Sequence, residues 1–557
     1  MLRLRHKTLA IGGLCLLLAI IHTWPLITAP GALSRNDNAD AELNEWILAW
    51  VAHQLPRSPA RLFQGNFFYP ERDTLAYSEP LIVPALMGAP LHWLGASPVF
   101  VYNIVLILGF ALTAWAGYTL AFEWTGDRAA GMLAGSMFAF NSHTLTRLAH
   151  VQGIHAWGLP LTLLAADRIL VHARWRDAVW LAVWMTAMAY TSGYLVVFGA
   201  IMVAVVLVTR VPDWWPRVGR VVTLFAGATL LAGLAILPMY LPYRRLAREM
   251  GMLRPIETVA EFSATWTGYL AAAGRIHFST WSARFWANPV DGFFPGFVVI
   301  ILTAAALYWS LARVRTDRDV ESSPSITARI SRRRIVMLVA IAATGVLLSL
   351  GTHTPVYGWL YHVFPPMQGL RAAARFGNLF LLAMAVLAAF GLAALRRRLP
   401  ARRAGLIVVV LVILANIESL RAPFHYTRFE GIPAVYSLLA REPGRVVLVE
   451  VPFYPTQAAF EGTEYVLNST AHWRPLLNGY SGYIPESYRR NAAVFWYFPE
   501  EHAIQGMRRA GATHVMIHPA GFGNEAEIEK MWHVVAASPY LERIAVTPGG
   551  PALYRLR

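Results

Sequence analysis

The sequence predicts an α-helical polytopic membrane protein with about eleven transmembrane helices and a small extracytoplasmic α/β domain at the C-terminus. Three observations carry this reading. Of the 557 residues, 56% are hydrophobic and 14% charged, against roughly 25% charged in a soluble domain. Apolar stretches of about 17–24 residues recur along the chain, the length a helix needs to cross a bilayer core. Arginine is concentrated in the short links between those stretches. The net charge of +16 therefore reads as positive-inside topology and excludes a nucleic-acid surface.

The elements follow in order. The run behind Met1-Leu-Arg-Leu-Arg-His-Lys7 continues to about Thr28, too long for a cleaved signal, and reads as a retained signal-anchor span over 9–28. The segment 80–95 is apolar but contains Pro80, Pro84 and Pro90, so it reads as a helix lying at the interface or re-entrant. Further spans are expected at 98–121, 129–145, 154–171, 178–191, 193–209, 221–241, 293–312, 334–352, 374–395 and 404–421. Thr191-Ser-Gly193 separates two short spans that would otherwise be one. With this alternation Arg128, Arg174, Arg176, Arg210, Arg217, Arg220, the loop 313–334 and Arg396–Arg403 all join the N-terminus in the cytoplasm. The loops 29–97, 242–292 and 353–373 then lie outside, with the region from 422 onward. The division expected is a transmembrane domain over 1–421 and an α/β domain over 422–557. In the latter, Arg445–Val451, Thr513–His518 and Ala552–Leu556 read as strands, and Ile432–Arg441 and Glu525–Ala537 as helices. The single cysteine, Cys15, permits neither a disulfide nor a cysteine metal site.

Acidic residues number 32, yet Asp37, Asp40, Glu42 and Glu45 crowd the exit of the first span. A carboxylate there serves as a general base toward an acceptor hydroxyl or as a ligand for a divalent cation (Mg or Mn), with Asp37, Asp40 and Glu42 the ligands of such a metal. Trp46 and Trp50 are expected to anchor the helix that carries them at the interface, and Glu45 reads as a solvated or helix-surface charge. The bland reading is a solvated loop in which Asp37 or Asp40 is a helix N-cap. Arg147, His150 and Gln152 gather at another outer helix end, and Tyr243 with Arg244 closes the seventh span. Arg371 and Arg375, one helical turn apart, open the tenth. Outward-facing arginines oppose the positive-inside bias and suit a lipid phosphate; the alternative is pairing with nearby acids or anionic lipid. No Walker loop, nucleotide fingerprint or zinc motif is present in the sequence.

The stretches Asp40–His53, Asn66-Phe-Phe-Tyr69-Pro70, Leu75–Glu79, Arg147–Gln152, Gly369–Phe376 and Asn478-Gly-Tyr-Ser-Gly-Tyr483 carry a resemblance. The chain resembles bacterial membrane glycosyltransferases of the GT-C superfamily, which includes protein mannosyltransferases, oligosaccharyltransferases and the lipid A aminoarabinose transferase, and is most similar to the branch near YfhO-like proteins. The resemblance runs over nearly the whole chain. It implies a first outer loop with a catalytic acid and two interfacial helices. It also implies a polyprenyl-phosphate-linked sugar donor and a glycan, lipid or protein acceptor, at the outer face of a bacterial cytoplasmic membrane. Asp40 matches the catalytic position; the adjacent acid usual in the family is displaced to Glu42. Competing readings are a lipid or polysaccharide transporter or flippase, an O-antigen-ligase-like enzyme working through Arg147, His150 or His353, and a non-catalytic envelope-assembly protein.

Overall fold

The computed structural model describes residues 2–251, 254–319 and 326–557. The protein is mostly helical, 69% of it. The principal helices are α1 (Leu2–His22), α2 (Ala39–Gln54), α3 (Ile82–Trp93), α4 (Pro98–Thr125), α5 (Arg128–Ala139), α6 (Gly158–His172), α7 (Trp175–Ala189), α8 (Gly193–Thr209), α9 (Val218–Met250), α10 (Phe297–Asp319), α11 (Ile326–Ser349), α12 (Gly377–Arg398) and α13 (Ala401–Ser419). Each of the apolar stretches read from the sequence falls on one of these helices. Among the described residues four helical stretches are long and apolar enough to cross a membrane: Pro98–Thr125, Val151–His172, Val211–Met250 and Ala373–Arg398. Three shorter ones, Leu9–His22, Gly193–Thr209 and Phe297–Leu311, are apolar. The expected break at 191–193 is present, because Ser192 leaves the helical path and caps the Tyr194 amide at the start of α8.

The chain divides into two compact units. Unit 1 comprises 1–28, 105–241 and 251–425. Its helices approach closely where side chains vanish. A Cβ on Gly391 would lie 1.9 Å from the Leu302 carbonyl oxygen, and one on Gly135 2.2 Å from that of Ala114, so both positions require glycine. The spans are not wholly apolar inside. Asp167 of α6 accepts from Arg210 (2.7 Å), Arg334 (2.6 Å) and the Trp124 indole (3.0 Å). Asp213 accepts from Arg210 and Arg333. Arg210, at the C-cap of α8, is fully buried. This network ties four helices together by charge.

Unit 2 comprises 29–104, 242–250 and 426–557. Its sheet has the order β3-β4-β6-β5, from β3 (Leu448–Val451), β4 (His514–Ile517), β5 (Leu541–Val546) and β6 (Ala552–Leu556). β3 and β4 are parallel and the other pairs antiparallel. β5 carries no clean alternation and was not expected, nor were the helices Thr463–Asn468, Glu486–Phe495 and Glu501–Arg509. Beyond β3 the hydrogen bonding continues. The Leu477 amide donates to the Leu448 carbonyl, and the Phe68 and Tyr69 amides donate to Asn478 and Leu476. The loop segment 66–69 thus extends the sheet of the C-terminal region, which is why 29–104 and 426–557 fold as one unit. A further short ladder pairs β1 (Leu33–Ser34) with β2 (Thr427–Arg428).

Candidate functional site

The acid-bearing helix α2 belongs to the core of unit 2. Trp46 is fully buried and donates to Asn66 Oδ1 at 3.2 Å; Trp50 is 5% exposed and donates to the Leu62 carbonyl at 2.8 Å. The two indoles stack, with centroids 5.4 Å apart. The expectation that they anchor α2 at the interface is corrected. Protein partners satisfy both N–H groups, and burying rings of this size is worth more than leaving them in the head-group region. Asn66 also donates to Ser469 Oγ and the Arg474 carbonyl. One amide therefore couples α2 to the C-terminal segment.

The four acids separate by environment. The N-cap is Asn38, whose side chain accepts the Asp40 amide at 3.0 Å. Neither Asp37 nor Asp40 caps the helix. Asp37 is taken by Arg35 through a paired contact, 2.8 and 3.0 Å. Asp40 lies in the first turn and is partly exposed. The Tyr480 hydroxyl donates to its Oδ1 at 3.3 Å. Glu42 is half-buried, and burial, reinforced by the nearby Glu464, pushes its pKa up to about 8. Glu45 is fully buried instead of solvated. Burial and Glu42 raise its pKa well above the ordinary carboxyl range, opposed by the Asn36 amide. With its nitrogen assigned to that side, Asn36 donates to the two Glu45 oxygens at 2.9 and 3.2 Å. Among the described residues no three His, Cys, Asp or Glu side chains are grouped to hold a metal ion.

Tyr480 reaches Asp40 for a local reason. A Cβ on Gly479 would meet the Phe68 ring at 2.5 Å. The bare glycine lets the Asn478–Tyr480 backbone lie against that ring, and the Asn478 carbonyl accepts the Phe68 amide at 2.9 Å. Tyr243 also belongs to unit 2, with its hydroxyl on the Ser78 carbonyl at 2.8 Å. Arg244 is exposed, whereas Arg245 pairs with the buried Asp73 at 2.7 Å.

The remaining cations lie in unit 1. The Arg147 guanidinium donates to the carbonyls of His143 (3.0 Å) and Pro289 (3.1 Å) and to Thr146 Oγ1 (2.8 Å). Burial, then Arg375, lowers its pKa to about 9; Asp291 acts the other way and Arg421 adds to the fall. His150 precedes the short helix Val151–Ile154, in which Gln152 is buried. Arg375 lies over the Tyr194 ring at 4.5 Å, and the Tyr194 hydroxyl accepts the amides of Arg371 and Ala372, each at 3.0 Å. Those two bonds hold the backbone out of a helix. Arg371 and Arg375 are therefore not one turn apart on the tenth span, since only a 3-10 turn (Ala373–Phe376) precedes α12. The Arg371 guanidinium stacks on Phe262 at 5.0 Å. Arg421, not singled out in the sequence, belongs to this cationic group and donates to the Leu145 carbonyl at 3.2 Å. Its signal was an arginine just past the last apolar stretch, at the end that the sequence reading expects outside.

No protein-family model matches the chain, and no curated protein does. Solved structures do. Arabinofuranosyltransferase AftD from mycobacteria aligns over 99% of this chain and 40% of its own, with a TM-score of 0.62 and 16% identity. A mutant form of AftD aligns over 99% and 41%, with a TM-score of 0.58 and 15% identity. The chain shares its fold with AftD. It spans about two fifths of the length of the AftD chains it matches. An archaeal oligosaccharyltransferase, AglB from Archaeoglobus fulgidus, aligns over 99% of this chain and 74% of its own, with a TM-score of 0.48 and 12% identity; at that score it adds no weight. Within the AftD-like fold, the six stretches that carried the resemblance sort into two groups. Asp40–His53, Asn66–Pro70, Leu75–Glu79 and Asn478–Tyr483 fall in unit 2, and Arg147–Gln152 and Gly369–Phe376 in the cationic group of unit 1.

Proposed function

We infer that the protein is a membrane glycosyltransferase that moves a sugar from a polyprenyl-phosphate donor to a hydroxyl of a glycan, lipid or protein acceptor, with inversion. In this reading it works at the outer face of a bacterial cytoplasmic membrane, with about eleven spans, a cytoplasmic N-terminus and unit 2 on the extracytoplasmic side. The observation that carries the assignment is the sorting of charge on an AftD-like fold. A first-turn aspartate, held by Tyr480, stands in one unit, and the half-buried Arg147, Arg371 and Arg375 stand in the other.

Asp40 takes the proton of the acceptor hydroxyl as its oxygen attacks the anomeric carbon. The bond from that carbon to the phosphate oxygen breaks, and the polyprenyl phosphate leaves with the electron pair. Of the four clustered acids Asp40 suits this role best: Asp37 is committed to Arg35, and Glu42 and Glu45 are biased toward the protonated form. Arg147, Arg371 and Arg375, with His150 and Gln152, bind the phosphate and stabilise its growing charge in a dry setting. Tyr243 and Arg244 lie on the unit that carries Asp40 and are assigned to the acceptor side. A divalent cation, if used, would draw on Asp40 and Glu42.

A transporter would place functional charges along the spans. The buried charges seen there, Asp167 and Arg210, are engaged with each other and with neighbouring arginines, which suits a clamp better than a path. The test is transfer from a radiolabelled polyprenyl-phosphate sugar in proteoliposomes. Asp40→Asn should abolish it at unchanged abundance and insertion. Full transfer by that variant would remove Asp40 from the mechanism.

A further inference from the structure

Every residue of β3 is buried, and three of the four are the apolar Leu448, Val449 and Val451. The fourth is Glu450, fully buried. Packing alone would favour an aliphatic residue there, because a buried carboxylate costs several kcal/mol unless it is paired. Its Oε2 accepts from the Tyr436 hydroxyl and from His518 Nε2 at 2.7 Å, while its Oε1 has no partner. Asn478 fixes the strand by exchanging bonds with the Glu450 amide (2.8 Å) and carbonyl (2.9 Å).

His518 is the one member of this group that reaches the surface, its side chain 17% exposed against 0% for Glu450. A carboxylate on Nε2 selects the tautomer with the proton there and leaves Nδ1 as an acceptor. The ring is also clamped. Tyr465 stacks on it at 4.5 Å, and the half-buried Tyr454 stacks on Tyr465 at 6.2 Å. Glu461 and Glu464, both exposed, lie on the same segment. The arrangement is an oriented imidazole acceptor beside aromatic rings, in acidic surroundings. It suits a hydroxyl-rich or amine-bearing ring and repels an anion.

We propose that His518, positioned by Glu450 and Tyr436, binds a hydroxyl of a neutral or amino sugar on the acceptor, which makes this face of unit 2 an acceptor-sugar subsite. The proposal rests on the glycosyltransferase reading for the word acceptor; the binding itself does not. The test uses the full chain in lipid nanodiscs with labelled histidine rings, the His518 signal being assigned by its loss in His518→Gln. The probes are methyl mannoside, methyl arabinofuranoside and glucosamine, with glucose 1-phosphate as the anionic control. The expected result is a saturable shift of the His518 signal with at least one uncharged or amino sugar and none with the phosphate. In Glu450→Gln, shown to be folded by its thermal transition, the shift should vanish; in Glu450→Asp it should partly return. The same titration on Asp40→Asn separates the two readings, since binding should persist where transfer is lost. No saturable shift with any uncharged or amino sugar, a response to the phosphate alone, or an unchanged response in Glu450→Gln would overturn the subsite.

Discussion

Replacing Asp167 by alanine should cost this protein a large part of its stability, and the contacts allow the loss to be sized. Asp167 is 1% exposed and pairs with a fully buried Arg210 and with Arg334, 14% exposed. With Asp167 present the cluster holds two carboxylates (Asp167, Asp213) against three guanidinium groups (Arg210, Arg333, Arg334). Without it a single carboxylate faces all three, and Arg210 keeps only Asp213. Removing one partner of a buried pair costs about 3–5 kcal/mol, because the charge left behind stays desolvated. That is a factor of roughly 100 to 5,000 in the folded-to-unfolded ratio. Replacing the pair together, Asp167→Leu with Arg210→Met, should recover much of the loss. The assay is equilibrium unfolding in bicelles, with a double-mutant cycle over Asp167→Ala and Arg210→Ala. A single-mutant loss below about 1 kcal/mol, or a coupling indistinguishable from zero, would refute the idea that this network clamps the helices.

Three further outcomes are expected. Glu42 holds its proton in the folded protein up to about pH 8, against an ordinary carboxyl value of 4.5. The stability it contributes is therefore present below about pH 4.5 and is lost as pH rises through about 8, so Glu42→Gln should flatten the decline in unfolding midpoint between these limits. Tyr480→Phe removes one hydrogen bond to Asp40; transfer should fall several-fold at unchanged melting temperature, and Gly479→Ala, which drives a methyl into Phe68, should lower both. Burial and neighbouring cations bring Arg147 from 12.5 down to about 9. A lysine there starts near 10.4, and the same surroundings would lower it further toward neutral pH. Donor KM in Arg147→Lys should therefore rise steeply above neutral pH while the parent's stays flat; a flat profile in the variant would count against Arg147 as the phosphate's partner.

What the sequence makes legible is periodic, and what it hides is long-range. The apolar stretches announce themselves because a bilayer-length run needs no partner to be recognised, and even the break at 191–193 carries its own cap in Ser192. Asn524 likewise announces the start of Glu525–Ala537 through a capping box with Glu527. Glu45 could not be read this way. Four acids in a row look solvated until the fold puts Asn36 against one of them and Arg35 against another. Trp46 misleads similarly: an indole near a span suggests an interface, but its N–H is claimed by Asn66, 20 residues on. Arg371 and Arg375 look like a helical pair by spacing, and only Tyr194, far away in sequence, shows why they are not.

The resemblance already prefers Asp40 among the four acids, and the fold adds physical grounds on which the other three suit a base less. Burial, with Glu464 near Glu42 and Glu42 near Glu45, biases two of them toward the protonated form, and Arg35 pairs with Asp37. Asp40 combines partial solvent access with a hydroxyl donor, Tyr480, supplied from 440 positions later in the chain. A carboxylate that must stay ionised, reach an acceptor hydroxyl and keep one orientation needs those conditions together.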